Sequence, residues 1–244
     1  MSDNKKKNII ANPFIFIGII TFISALILSV VSESSKETVK ANKELDIMKN
    51  VLLCRYLEEY EIYKEKLSDS EKVKEIYSKI IEPILYDIDT NLPVDSDFFE
   101  TKNLKFADLQ WKEDKSNGSL YYFFKSEPEK RYFPLFKVLD DSEGYILSVS
   151  GKGLWSTLKG FLYVSENLDS IKGISFYAHK ETPGLGGEID KIEIKQRYVG
   201  KKIDLNNKDI KIAQMIKKPT DPDYHLEYMS GATITSDGLN HFLK

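Results

Sequence analysis

Between Asn8 and Ser32 the chain carries no charged residue, and Ile9–Val31 consists mostly of Ile, Phe, Leu, Val and Ala. At about 1.5 Å per residue, a helix of that length crosses a hydrocarbon core of about 30 Å. A cleaved signal peptide is the competing reading, but its apolar core runs only about 7–15 residues and ends at a small-residue site. Here the run is longer, and Val30-Val31-Ser32-Glu33 offers no such site. A buried helix of a soluble core is the weaker alternative for a helix apolar all round. Pro13 falls in the first turns, where a missing N–H is tolerated. The stretch predicts a retained single-pass anchor over residues 9–32, preceded by a tail of residues 1–8. Lys5, Lys6 and Lys7 lie before it, whereas charges of both signs follow it from Glu33 to Glu44. A basic cluster favours the inner face, which puts the N-terminus in the cytoplasm and the rest of the chain outside.

The remainder of the chain is close to charge balance, with a formal net charge of −3 over 244 residues. Acidic and basic residues are interspersed, which excludes the clustered basic face of a nucleic-acid binder. Cys54 is the single cysteine, so the chain can form neither an internal disulfide nor a thiolate-held iron–sulfur cluster. His179, His225 and His241 are too far apart to form a metal-ligand spacing. No metal site, catalytic triad or paired-carboxylate motif is expected. A redox cofactor, if present, has to be organic.

Periodicity predicts a helix over residues 34–66, with Leu45, Met48, Leu52 and Leu53 on one stripe and Cys54 packed at or near it. A second helix over 69–82 starts at Asp69 or Ser70 and stops before Pro83. Residues 83–118, rich in Asp, Pro and Asn, predict loops with short elements, and the aromatic-rich stretch 120–139 predicts strands. Further strands are expected at 145–149, 160–164 and 171–177, the last two joined by a turn at Glu166–Asp169. A Gly-rich loop, a short helix near 188–196 and a closing helix over 235–243 follow. Strands and helices do not alternate strictly, so the fold class is α+β.

Two segments carry chemical signals. Glu181-Thr182-Pro183-Gly184-Leu185-Gly186-Gly187 marks a tight turn whose glycines admit close backbone approach to a ligand; a side chain at Gly186 would intrude or force an unfavourable φ. The segment reads equally well as an ordinary turn, and its spacing matches neither nucleotide-binding glycine motif. Ser230-Gly231-Ala232-Thr233-Ile234-Thr235-Ser236 is a small, hydroxyl-rich turn running into a helix. A helix N-terminus suits a phosphate, although Thr235 or Ser236 acting as a plain cap explains the same residues.

Together the two segments resemble the covalent FMN-binding domain family of bacterial respiratory complexes. Within it, Gly153-Leu154-Trp155-Ser156-Thr157, Gly160-Phe161-Leu162 and the juxtamembrane stretch Ala41–Asn50 are more similar to the C-type subunits of the sodium-translocating NADH:quinone oxidoreductases than to the G-type subunits of the Rnf complexes. The resemblance covers the anchor, the juxtamembrane helix and residues from about 144 onward. It implies an anchor at 9–32, juxtamembrane helices and a variable region at 33–140, and a flavin domain at 141–244. It also implies FMN joined by a phosphoester to Thr233, attached by a separate flavin transferase. Ser230, Gly231, Ala232, Thr235, Glu181, Thr182, Gly184 and Gly186 would form the surrounding pocket, with Leu185, Leu154 and Trp155 near the ring. Trp155 is equally explained by core packing. His179 reads as a hydrogen-bonded histidine rather than a flavin partner. Family members carry Asp three residues before the Ser/Thr of the motif, and here that position is Glu227. The implied role is electron relay toward ubiquinone in the inner membrane, coupled to sodium export. The implied partners are the A, B, D, E and F components of the same complex. A domain outside the cytoplasm retains a covalent flavin regardless of affinity. The alternatives are an Rnf-type carrier and, from another class, a membrane-tethered binding or scaffold protein whose flavin site is unused.

Overall fold

A computed structural model describes residues 13–95, 97–113, 120–206 and 210–243. The Lys5–Lys7 cluster, the tail 1–8 and the first residues of the predicted anchor lie outside the described residues. The chain divides into two compact units, Met1–Lys43 and Glu44–Lys244.

In the first unit, helix α1 (Pro13–Arg55) is long and apolar enough to cross a membrane, and its large side chains from Phe14 to Val31 are exposed. The helix expected over 34–66 begins as the continuation of α1, which runs unbroken to Arg55, but it does not reach residue 66: a turn over 56–59 separates α1 from the next helix. Neither Gly nor Pro occurs between Ile19 and Arg55 to interrupt α1.

The second unit takes the end of α1 and continues with α2 (Tyr60–Ser68) and α3 (Ser70–Ile80). Asp69 caps α3 as expected, its carboxylate accepting the N–H groups of Glu71 at 3.0 Å and Lys72 at 3.3 Å. Strands β1 (Ile81–Asp87) and β2 (Leu92–Pro93), helix α4 (Phe98–Thr101) and strand β3 (Gln110–Glu113) then occupy the stretch expected to be mostly loop. Pro83 lies inside β1 but pairs only with β5 (Glu127–Val138), so its missing donor faces the unpaired edge. Aromatic packing gives these short elements their hold. Phe98 lies 5.8 Å from both Phe124 and Tyr132, ring centre to ring centre.

Strands β4 (Leu120–Phe124), β6 (Gly144–Lys152), β7 (Thr157–Ser165) and β8 (Ile171–Ala178) complete one antiparallel sheet in the order β2-β1-β5-β6-β7-β8, with β3 and β4 branching from β5. β5 and β6 pair across the turn at 139–143, so the variable region and the later strands share one sheet. Helix α5 (Ile192–Gln196), a parallel pair of short strands, β9 (Gln214–Ile216) and β10 (His225–Glu227), and helix α6 (Thr233–Phe242) follow. The fold is α+β, as expected.

Alternation along β7 builds two cores. Phe161 and Tyr163 face Val51, Leu52 and Cys54 of α1, while Leu162 and Val164 belong to the core with Leu239 and Phe242 of α6. The end of α1 lies tight on the sheet: the Ser175 hydroxyl donates to the Asn50 carbonyl at 2.9 Å. Cys54 is fully buried with its thiol 3.4 Å from the Phe161 carbonyl, and burial pushes its pKa up, so it packs rather than reacts. Arg55 donates to Asp140 at 2.9–3.2 Å beneath the rings of Tyr56 and Tyr163. On the other face, α6 is pressed against β6 without intervening side chains. A Cβ on Gly238 would lie 2.4 Å from the Lys152 carbonyl, and one on Gly151 2.7 Å from the Phe242 backbone.

Candidate functional site

Helix α6 begins at Thr233, two residues earlier than expected, and its first turn has no side-chain cap. Neither Thr235 nor Ser236 fills that role. Both are buried; the Ser236 hydroxyl donates to the Ala232 carbonyl and accepts from Met229 N–H, while the Thr235 hydroxyl donates to Glu181 at 2.6 Å. Thr233 is exposed. It therefore stands at the uncapped, positive end of the helix dipole. Gly231 precedes it with φ +71°, a left-handed conformation that turns the chain into the helix.

The Gly-rich loop folds against this turn. The Thr182 carbonyl accepts the N–H groups of Leu185 at 3.1 Å and Gly187 at 2.9 Å, and Gly184 takes φ +78°. The two properties expected of Gly186 are divided between two glycines. Gly184 supplies the left-handed backbone in open space, whereas Gly186 has no positive φ and supplies room. A Cβ on Gly186 would fall 2.4 Å from the Thr235 hydroxyl and 2.7 Å from the Glu181 carboxylate. Leu185 reaches across to Gly231, whose added Cβ would meet the Leu185 side chain at 3.0 Å.

Glu181 is buried, at 5% exposure. Its Oε1 accepts the Trp155 N–H at 3.1 Å and its Oε2 the Thr235 hydroxyl. One carboxylate thus ties the 153–156 loop, the Gly-rich loop and α6 together. Around it Leu154, Trp155, Leu185 and Ile234 are exposed at 47–67%. The Trp155 indole is therefore not core packing. Isolated exposed apolar residues need no explanation, but these come from the three segments that one carboxylate joins. His179 is hydrogen-bonded, accepting from Glu181 N–H at 3.2 Å through Nδ1 and lying 2.8 Å from Asp190 through Nε2.

Sequence reasoning misses Ile234 and a neighbouring cavity of about 580 Å³ that meets Gly184, Leu185, Ser230 and Gly231. Arg197 and Glu227 line it from α5's end and β10. Glu227 is exposed. No local motif announces Arg197; only the fold brings it there. Among the described residues there is no cluster of side chains able to hold a metal.

An exposed threonine at an uncapped helix start, beside an apolar surface and glycine turns, fits a phosphate-bearing aromatic cofactor. A family model described as the FMN-binding domain matches residues 153–244, so this part of the chain is similar to that domain. The Na(+)-translocating NADH-quinone reductase C subunit of Vibrio anguillarum is 30% identical over 190 residues, covering 72% of this chain and 69% of that protein. Its counterpart from Haemophilus ducreyi is 26% identical over 247 residues, covering 98% of this chain and 90% of the relative. The chain belongs to the family of Na(+)-translocating NADH-quinone reductase C subunits. The crystal structure of the family member from Parabacteroides distasonis shares the fold, with a TM-score of 0.59 at 24% identity over 86% of this chain and 92% of that one.

Proposed function

We propose that the chain is an electron-carrying flavoprotein subunit of a membrane NADH:quinone oxidoreductase that couples electron transfer to sodium export, with FMN phosphoester-linked to Thr233. The observation that carries this reading is the exposed Thr233 at the uncapped start of α6. FMN supplies one-electron carriage when bound, and the protein supplies its position and electrostatics. Thr233 and the first amides of α6 would hold the phosphate. Leu154, Trp155, Leu185 and Ile234 would cover one side of the ring and exclude water from it. Ser230, Gly231 and Ala232 leave room beside the linkage, while Thr182, Gly184 and Gly186 shape the opposing loop. Residues 141–244 would carry the flavin, while 33–140 would join the anchor at 9–32 to it and supply the first strands of the shared sheet. A flavin transferase would attach the cofactor, and the remaining subunits of the complex would exchange electrons with it. Chain isolated from its native membrane should show a flavin fluorescence band after denaturing electrophoresis and one FMN adduct by intact mass. A colourless protein of unmodified mass would instead mean that the flavin site is unused.

The flavin domain faces away from the cytoplasm in this reading, supported by Lys5–Lys7 ahead of the apolar stretch. A reporter active only outside the cytoplasm, fused after Lys244, is expected to be active. A silent fusion at normal abundance reverses the orientation.

A further inference from the structure

Glu181 has a place in the site that the binding role of the Gly-rich loop does not explain. Its side chain is turned inward, away from solvent, and each of its two oxygens receives a donor from a different segment. That pattern, two donors and no acceptor, is filled by an ionised carboxylate. Space is cleared for it on both sides. A Cβ on Gly153 would lie 2.5 Å from Oε1 and one on Gly186 2.7 Å from Oε2, so both glycines are in contact with the carboxylate. Each anchored segment carries an exposed apolar residue of the surface described above: Trp155 from the first loop, Leu185 from the second and Ile234 beside Thr235 on α6.

We propose that Glu181 is a positioning residue that also sets the reduction potential of the flavin, holding three segments in register while placing a fixed negative charge behind the apolar surface of Trp155, Leu185 and Ile234. This rests on the reading that Thr233 carries FMN. Each electron added to an isoalloxazine without a proton leaves negative charge on it. A nearby fixed carboxylate, shielded from water, raises the energy of the reduced form and lowers the potential. The Thr235 hydroxyl withdraws part of that field by donating to Oε2, since a hydrogen bond to a charged acceptor is among the stronger ones.

Two substitutions separate charge from scaffold. Glu181→Gln removes the charge and keeps the shape, retaining one acceptor for Thr235 but turning an amide toward the Trp155 N–H. Thr235→Val keeps the charge and removes its donor. Both are made in the full-length chain carrying its flavin, with FMN confirmed by intact mass before the potential is measured by redox titration. The potential should move positive in Glu181→Gln and negative in Thr235→Val. A purely structural role gives no reason for opposite signs, so shifts of the same sign, or no shift, overturn the proposal. If Glu181→Gln does not accumulate, Thr235→Val decides alone: a negative shift supports it, a null or positive one overturns it. Wild-type chain without FMN removes the parent reading and this one together, an outcome the mass measurement identifies before any titration.

Discussion

Thr233→Ala is expected to abolish the covalent flavin while leaving the fold intact. The hydroxyl is the only atom lost that can accept the phosphoryl group, and no neighbour replaces it. Ser236 and Thr235 are buried and committed to Ala232, Met229 and Glu181, and Ser230 lies three positions earlier, before the left-handed Gly231. The structural cost is small. Thr233 is exposed in the first turn, Ala is the strongest helix former, and surface substitutions of this kind stay within about 0.5 kcal/mol. In-gel fluorescence and intact mass should report complete loss of FMN, with the thermal midpoint unchanged within about 2 °C. A fluorescent band surviving in this variant moves the linkage to another residue.

Gly173→Ala should have the largest effect on stability. A Cβ there would fall 1.9 Å from the Cys54 carbonyl, well inside contact distance. That oxygen belongs to helix backbone and cannot rotate away, so the end of α1 has to lift from β8. Lifting it strains the Ser175 hydroxyl bond to Asn50 and opens the packing of Val51, Leu52 and Cys54. Overpacking costs about 1–3 kcal/mol, and more when backbone must move. For a domain of this size each kcal/mol lowers the midpoint by about 2–4 °C, so a fall of at least about 2 °C is expected in the detergent-solubilised chain. An unchanged midpoint would show that this helix end is free to move over the sheet.

The features legible in the sequence are those written locally. The apolar run, the Asp69 cap, the strands from 144 to 178 and the two glycine turns each depend on neighbours within a few positions, and each is present. The described residues between 83 and 113 resist such reading because their short elements are held by Phe98 packing on Phe124 and Tyr132, contacts spanning up to 34 positions. The candidate site divides in the same way. Thr233 and Gly231 announce themselves in a motif, but the pairing of Glu181 with Thr235 joins positions 54 apart. Spacing alone assigns Thr235 to capping, because a hydroxyl near a helix start has that use by default. The buried carboxylate that claims it is visible only in three dimensions. Ile234 escapes notice because one apolar residue in a turn carries no signal until its exposure is known.

The glycine contact between α6 and β6 bears on timing as well as shape. With Gly238 against the Lys152 carbonyl and Gly151 against Phe242, the helix has no side-chain cushion on which to slide or roll. Thr233, on the same helix, inherits that fixed coordinate. Electron tunnelling falls off steeply with separation, so a carrier whose tether wandered would transfer at a spread of rates governed by its nearest excursions. On the proposed linkage, a tether held this way would narrow the range of separations, and the timing of transfer would then depend less on the linker than on whatever docks beside it.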